Sequence, residues 1–78
     1  MDLRLSECSI EEEIEIVKIE KGYIASKLIE MGLSEKVITK VVLIAPFGDP
    51  IAVDINGFVL SIRKSEAQHI FVRKITKS

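Results

Sequence analysis

The reactive side chains of this 78-residue chain are few: one histidine, one cysteine and 12 carboxylates. A metal site would draw on Cys8, His69, Asp49, Asp54 and the glutamates. None of these shows ligand spacing, since the chain holds no CxxC, no HxxxH and no DxDxDG loop. Nucleophilic catalysis by Cys8 would need His69 as base and a third group to orient it, and no third group is indicated. Cys8 reads instead as a small apolar plug, and His69 as a ring tipping into solvent beside a turn. Glu11-Glu12-Glu13 sets carboxylates side by side. General acid–base work needs two held apart in a cleft, so this run reads as a solvated edge. Four isolated glycines make neither a P-loop nor GxGxxG. The sequence predicts no catalytic residue, no metal ligand and no cofactor.

Binding chemistry has better candidates. Arg63, Lys64, Arg73, Lys74 and Lys77 could meet a nucleic-acid backbone. Stacking on bases needs exposed aromatics, and only Tyr23, Phe47 and Phe71 are available once Phe58 is assigned to the core face. A groove for proline-rich peptides needs more aromatic residues than the 5% present here. A protein partner is the remaining class. Phe47 lies in a loop bracketed by Pro46 and Pro50, where a large ring has few intramolecular neighbours and can anchor an interface. The competing expectation is that Phe47 folds back and plugs one end of the core. Asp49 in the same loop and Lys27 on a helix are the polar candidates for partner binding. Ser26, Lys27 and Glu30 otherwise read as a solvated helix face.

Composition narrows the setting. Apolar residues make up 47% and charged residues 29%, a folding composition for one domain spanning 1–78. Net charge is −1, so the chain is no bulk polycation. The charge is bipolar: residues 1–35 carry nine acids and four bases, and residues 36–78 carry three acids and seven bases. Such a surface orients a charged partner, or simply gives two solvated faces. A lone cysteine forms no internal disulfide, which suggests a reducing compartment. No signal peptide opens the sequence, and no apolar run approaches the roughly 18 residues of a membrane span. A cytoplasmic protein is expected.

The elements that position these residues follow from periodicity. In residues 11–20, Ile14 and Ile16 alternate with Glu13 and Glu15, then Val17 and Ile19 switch phase; a strand with a bulge is predicted. Residues 23–31 take helical spacing, with Ile24, Leu28 and Met31 on a stripe widened by Ala25 and Ile29. Gly32 and Leu33 fit a Schellman end. Residues 36–45 form a long strand whose Val41-Val42-Leu43-Ile44 run predicts cover on both sides. Pro46 to Pro50 is a turn. Asn56-Gly57 predicts a type I′ hairpin that pairs Ile55 with Phe58, Val53 with Leu60 and Ile51 with Ile62, all six on the core face. Ser65 to Gln68 reads as one helical turn capped by Ser65. Residues 70–73 form a closing strand, and 74–78 a frayed tail. Five mostly antiparallel strands and one short helix after the first strand predict a small, partly open barrel.

In order and spacing these pieces resemble a known family. Leu5-Ser6, then Leu28-Ile29-Glu30-Met31-Gly32-Leu33, then Pro46-Phe47-Gly48-Asp49-Pro50, then Ile55-Asn56-Gly57-Phe58 with Leu60 and Arg63, and finally Glu66-Ala67 and Ile70-Phe71-Val72 are similar to FeoA, the ferrous iron transport protein A of prokaryotes. The resemblance covers residues 5–74. It implies a mainly β, SH3-like barrel and a cytosolic, non-enzymatic accessory protein. The implied partner is FeoB, the membrane ferrous iron transporter with a GTP-binding domain, so that membrane contact comes only through that partner. No nucleic acid is expected. The alternatives are a small nucleic-acid-binding barrel, or an iron-sensing domain that binds a transition metal such as Fe²⁺ directly. Three departures fall in turns and on the helix. Ser34-Glu35-Lys36 stands where the family commonly has Pro-Gly, Glu11-Glu12-Glu13 replaces a glycine before the first strand, and Lys27 stands for an arginine.

Overall fold

The computed structural model describes residues 2–20 and 22–75, without the side chains of residues 23 and 24. The side chains of Tyr23 and Ile24, and residues 76–78 of the expected tail with Lys77 among them, therefore lie outside what is described. The strands are Leu3–Arg4 (β1), Glu13–Ile19 (β2), Ile38–Ile44 (β3), Ile51–Ile55 (β4), Phe58–Ile62 (β5) and Ile70–Lys74 (β6). Two helices, Tyr23–Glu30 (α1) and Lys64–Ala67 (α2), and two 3₁₀ turns, Leu5–Glu7 and Pro46–Gly48, complete the chain. The strands form one antiparallel sheet in the order β1-β6-β2-β3-β4-β5. Six strands replace the five expected, because Leu3 and Arg4 pair with Val72 and Phe71. Lys74 belongs to β6 rather than to a tail.

The strand pattern dictates a curled sheet. Ile14 and Ile16 from β2, Val41 from β3, Val53 from β4, Leu60 from β5 and Val72 from β6 all enter a single buried cluster. A flat layer with one eight-residue helix could not bury one face of every long strand. The curl is helped where the β2–β6 register shifts between Ile16 and Lys18, at the predicted phase switch, since a bulge bends and twists its strand. β3 carries a second bulge, between Val41 and Leu43. This overturns the reading of residues 41–44 as covered on both sides. The extra residue changes phase, so Val41 is buried while Leu43 is exposed.

The β4–β5 hairpin has the predicted register at all three apolar pairs. Asn56 and Gly57 both take positive φ, 51° and 88°, as a type I′ turn requires, and the Gly57 N–H donates to Asp54 Oδ1 at 2.7 Å. Phe58 is a correction: it is 55% exposed although its cross-strand partner Ile55 is buried.

Helix α1 ends in a Schellman motif. Leu33 N–H donates to the Leu28 carbonyl at 2.9 Å and Gly32 N–H to that of Ile29 at 3.0 Å, with Gly32 at φ 100°. Leu28 and Leu33 then close on the core. Among the described side chains of α1, Ala25 and Leu28 are buried, whereas Ile29 and the capping Met31 are exposed, so these two do not join the buried stripe. The helix is too short to wrap the sheet. In α2 the cap is Arg63 rather than Ser65, with Arg63 N–H donating to Glu66 Oε1 at 3.0 Å. Two further non-glycine residues adopt positive φ, Glu11 at 70° and Lys36 at 74°. Both fall where the sequence departs from a glycine-bearing pattern.

Candidate functional site

Chemistry gathers where the loop after β3 meets α1, β5 and α2. The loop is closed at its neck by Ala45 N–H donating to the Pro50 carbonyl at 3.0 Å, and at its top by Gly48 N–H donating to that of Ala45 at 2.9 Å. Both prolines lack a donor, and the Asp49–Pro50 peptide is cis. Between these bonds Phe47 takes φ 66° and is 97% exposed. The ring does not fold back to plug the core. A bulky residue in the left-handed region is disfavoured locally, and here it makes no compensating burial.

Asp49 ties the loop down. Its Oδ1 accepts the Lys64 N–H at 3.0 Å, which fixes the loop against the start of α2. Beside it opens a cleft of about 380 Å³ lined by Lys27, Asp49, Pro50, Ser61, Arg63 and Glu66. The structure thus brings Lys27 and Asp49 into one cleft and leaves Phe47 out of its lining, in the same loop two residues from Asp49. The charges in the cleft are not equivalent. Each carboxylate uses one oxygen to accept a backbone N–H, Asp49 from Lys64 and Glu66 from Arg63. Lys27 and Arg63 form no ion pair among the described residues. The cleft therefore offers two cations and the Ser61 hydroxyl beside two carboxylates, and the formal charges of its lining sum to zero. Ser61, Glu66 and Pro50 were not singled out for binding by the sequence. Their signal was weak, because the cleft forms only when α1, the loop, β5 and α2 pack together.

The basic residues do not form one patch. Arg63 and Lys64 follow β5 at one end of the sheet order, whereas Arg73 and Lys74 lie on β6, near the other. Arg73 reaches Asp2 at 3.9 Å and Lys74 reaches Glu12 at 3.0 Å. Glu12 has its pKa lowered, first by the Ser9 N–H it accepts and then by Lys74, and Lys74 has its own pKa raised by Glu12. Phe71 is half-buried with Arg4 over its ring at 5.8 Å, so it is no free stacking platform.

The reactive residues are dispersed. Cys8 is buried in the core, and burial above all, with Glu12 next, pushes its thiol up to about 11; it is neutral at pH 7 and a poor nucleophile. His69 Nδ1 lies 2.8 Å from Glu20 Oε1 and joins the end of β2 to the start of β6. No three His, Cys, Asp or Glu side chains converge among the described residues. No helix among them is long and apolar enough to cross a membrane.

Comparison with known proteins decides the family. The FeoA domain model matches residues 3–74. The chain belongs to the FeoA family. The solution structure of the FeoA protein from Chlorobium tepidum is 32% identical, with a TM-score of 0.87 over 95% of this chain and 71% of that one. A crystal structure of an iron uptake regulatory protein, FeoA, is 30% identical, with a TM-score of 0.86 over 96% of this chain and all of that one. The mainly β, SH3-like fold of FeoA is thereby the fold of this chain. A manganese-dependent transcriptional repressor in complex with manganese shares the fold at 19% identity, TM-score 0.87, over 95% of this chain and 37% of the repressor. None of the curated proteins matches the chain.

Proposed function

We propose that this FeoA-family chain is a non-catalytic accessory protein of ferrous iron uptake. It works at the cytoplasmic face by docking on a FeoB-like transporter, through the GTP-binding part. The observation that carries the reading is Phe47: a fully presented aromatic ring on a loop tied down by backbone bonds, the same loop that sends Asp49 into a cleft with Lys27. Interfaces draw most of their energy from a few such anchors, and a rigid loop loses little entropy on docking. Family membership supports a ferrous iron transporter as the partner. Acting by binding suits an arrangement whose two carboxylates in the cleft already serve backbone donors. The dispersal of Arg63 and Lys64 away from the ion-paired Arg73 and Lys74 gives a nucleic acid no continuous track.

The test is calorimetric titration of the protein against the isolated GTP-binding domain, with Phe47→Ala alongside. The reading expects saturable binding that survives moderate salt and weakens about tenfold or more in Phe47→Ala, the range of an interface anchor. Equal binding by variant and parent removes the anchor. Absence of binding to any cytosolic piece of the transporter removes the reading.

A further inference from the structure

Asn56 is the only asparagine in the chain. It precedes a glycine at the exposed tip of the β4–β5 hairpin. Asparagine before glycine is the pair most prone to spontaneous deamidation, because glycine has no side chain to hinder attack by its own backbone nitrogen. The reaction needs a defined geometry. Gly57 N must lose its proton and close a five-membered ring on the Asn56 side-chain Cγ. Closure requires Cβ and Gly57 N to lie on the same side of the Asn56 Cα–C bond, which an L-residue reaches only at strongly negative ψ. Asn56 sits instead at φ 51°, in the left-handed region of a type I′ turn, where ψ is about +30 to +60°. There Cβ and the following nitrogen point to opposite sides of that bond, nearly half a rotation from closure. A second restraint acts on the proton. The Gly57 N–H donates to Asp54 Oδ1 at 2.7 Å. A carboxylate is far too weak a base to remove an amide proton, so this contact holds the proton in place. The negative charge also opposes an anion forming on the same nitrogen.

We infer that Asn56 is a deamidation site gated by the β4–β5 hairpin: the closed turn blocks the chemistry, and opening of the turn admits it. In the open state hydroxide takes the Gly57 amide proton and the nitrogen bonds to Asn56 Cγ. The Cγ–Nδ2 bond then breaks, and the leaving nitrogen takes a proton from water and departs as ammonia. Water adds to the cyclic imide. Cleavage at the former side-chain carbonyl gives aspartate. Cleavage at the backbone carbonyl gives isoaspartate, in which the chain runs through Cβ and Cγ. The net change converts one amide and one water into one carboxylic acid and one ammonia, with no electron transfer. Isoaspartate puts one extra atom into the backbone of the turn. A hairpin's register is set by its turn, and this turn sets Val53 against Leu60 in the core. The isoaspartyl chain therefore carries a covalent record of opening and closes less well than the aspartyl chain.

The experiment incubates the full chain in mildly alkaline buffer, with and without unfolding concentrations of urea. Intact mass follows the exchange of an amide for an acid, and reverse-phase separation resolves the two products. The folded parent should react at least about tenfold more slowly than the unfolded one, since the open fraction scales the rate. Asn56→Gly, which keeps a turn-forming residue, should abolish the mass gain. Asp54→Ala frees the Gly57 N–H and should speed the reaction about tenfold in buffer, with the rate in urea nearly unchanged. The purified isoaspartyl chain should unfold at lower urea than Asn56→Asp, which has the same charge on an ordinary backbone. Equal rates in buffer and urea would overturn the gate. So would an Asp54→Ala chain that reacts no faster than the parent when folded. Mass gain that persists in Asn56→Gly would overturn the site, and an isoaspartyl chain as stable as Asn56→Asp would overturn its effect on the hairpin.

Discussion

Replacing Phe47 by asparagine should make the protein more stable and less able to dock. Phe47 sits at φ 66°, where a residue with a Cβ is held at a cost of about 1–2 kcal/mol. Asparagine tolerates this region far better than a bulky aromatic. The loss side of the balance is small. The ring is 97% exposed, so at about 25 cal/mol per Å² of apolar area removed from water its truncation forfeits almost no burial. Glycine would relieve the same strain but returns roughly 0.5–1 kcal/mol to the unfolded chain as backbone freedom. Asparagine is therefore the cleaner probe. A gain of about 1 kcal/mol is expected, which in a domain of this size raises Tm by about 4–8 °C. Urea unfolding followed by circular dichroism measures it, and titration of the same variant against the GTP-binding domain should show weaker binding. Destabilisation of Phe47→Asn would refute the reasoning, because it would mean that the ring is held by contacts within the fold.

Four further outcomes are expected. Gly32→Ala places a Cβ 4.0 Å from Ile55 Cγ2, which is ordinary contact, yet at φ 100° it should cost about 1–2 kcal/mol, read from the shift in urea midpoint. Glu11→Gly and Lys36→Gly, both relieving a positive φ, should each stabilise by up to about 1 kcal/mol in the same assay. Cys8 has a folded pKa raised to about 11 from 9.0, so its neutral thiol contributes stability fully below pH 9. That contribution is lost as pH rises through about 11, and alkylation at pH 7 should be slow until denaturant is added. Glu12 has a lowered pKa, so its contribution is present above the unfolded carboxylate range and lost as pH falls through the folded value; Glu12→Gln should flatten the acid side of a Tm–pH profile.

Legibility tracked how local the cause was. The hairpin was readable because turn chemistry and alternation demand the same register, and the β2 bulge because a phase switch leaves a trace in four residues, Ile14, Ile16, Val17 and Ile19. The Schellman end was readable from Gly32-Leu33. Strand β1 was not, since two residues carry no period, and it exists only because β6 offers a free edge. Alternation names the face Phe58 occupies but not how far each position on that face is covered, and Phe58 is exposed opposite a buried Ile55. Val41 to Ile44 looked like a doubly covered strand because a bulge with apolar residues on both phases gives the same uninterrupted run. At the site, the proline-bracketed loop drew attention to Phe47 and Asp49, and Lys27 was named on the helix. The cleft that joins Lys27 to Ser61, Arg63 and Glu66 depends on long-range packing, which no local pattern encodes.

The most direct measurement is an amide-resolved map of the ¹⁵N-labelled chain as the GTP-binding domain is added. The account predicts perturbation concentrated at Phe47, Asp49 and Lys27, with β1 and β6 unchanged. Perturbation confined to β1 and β6, or none anywhere at saturating domain, would contradict it.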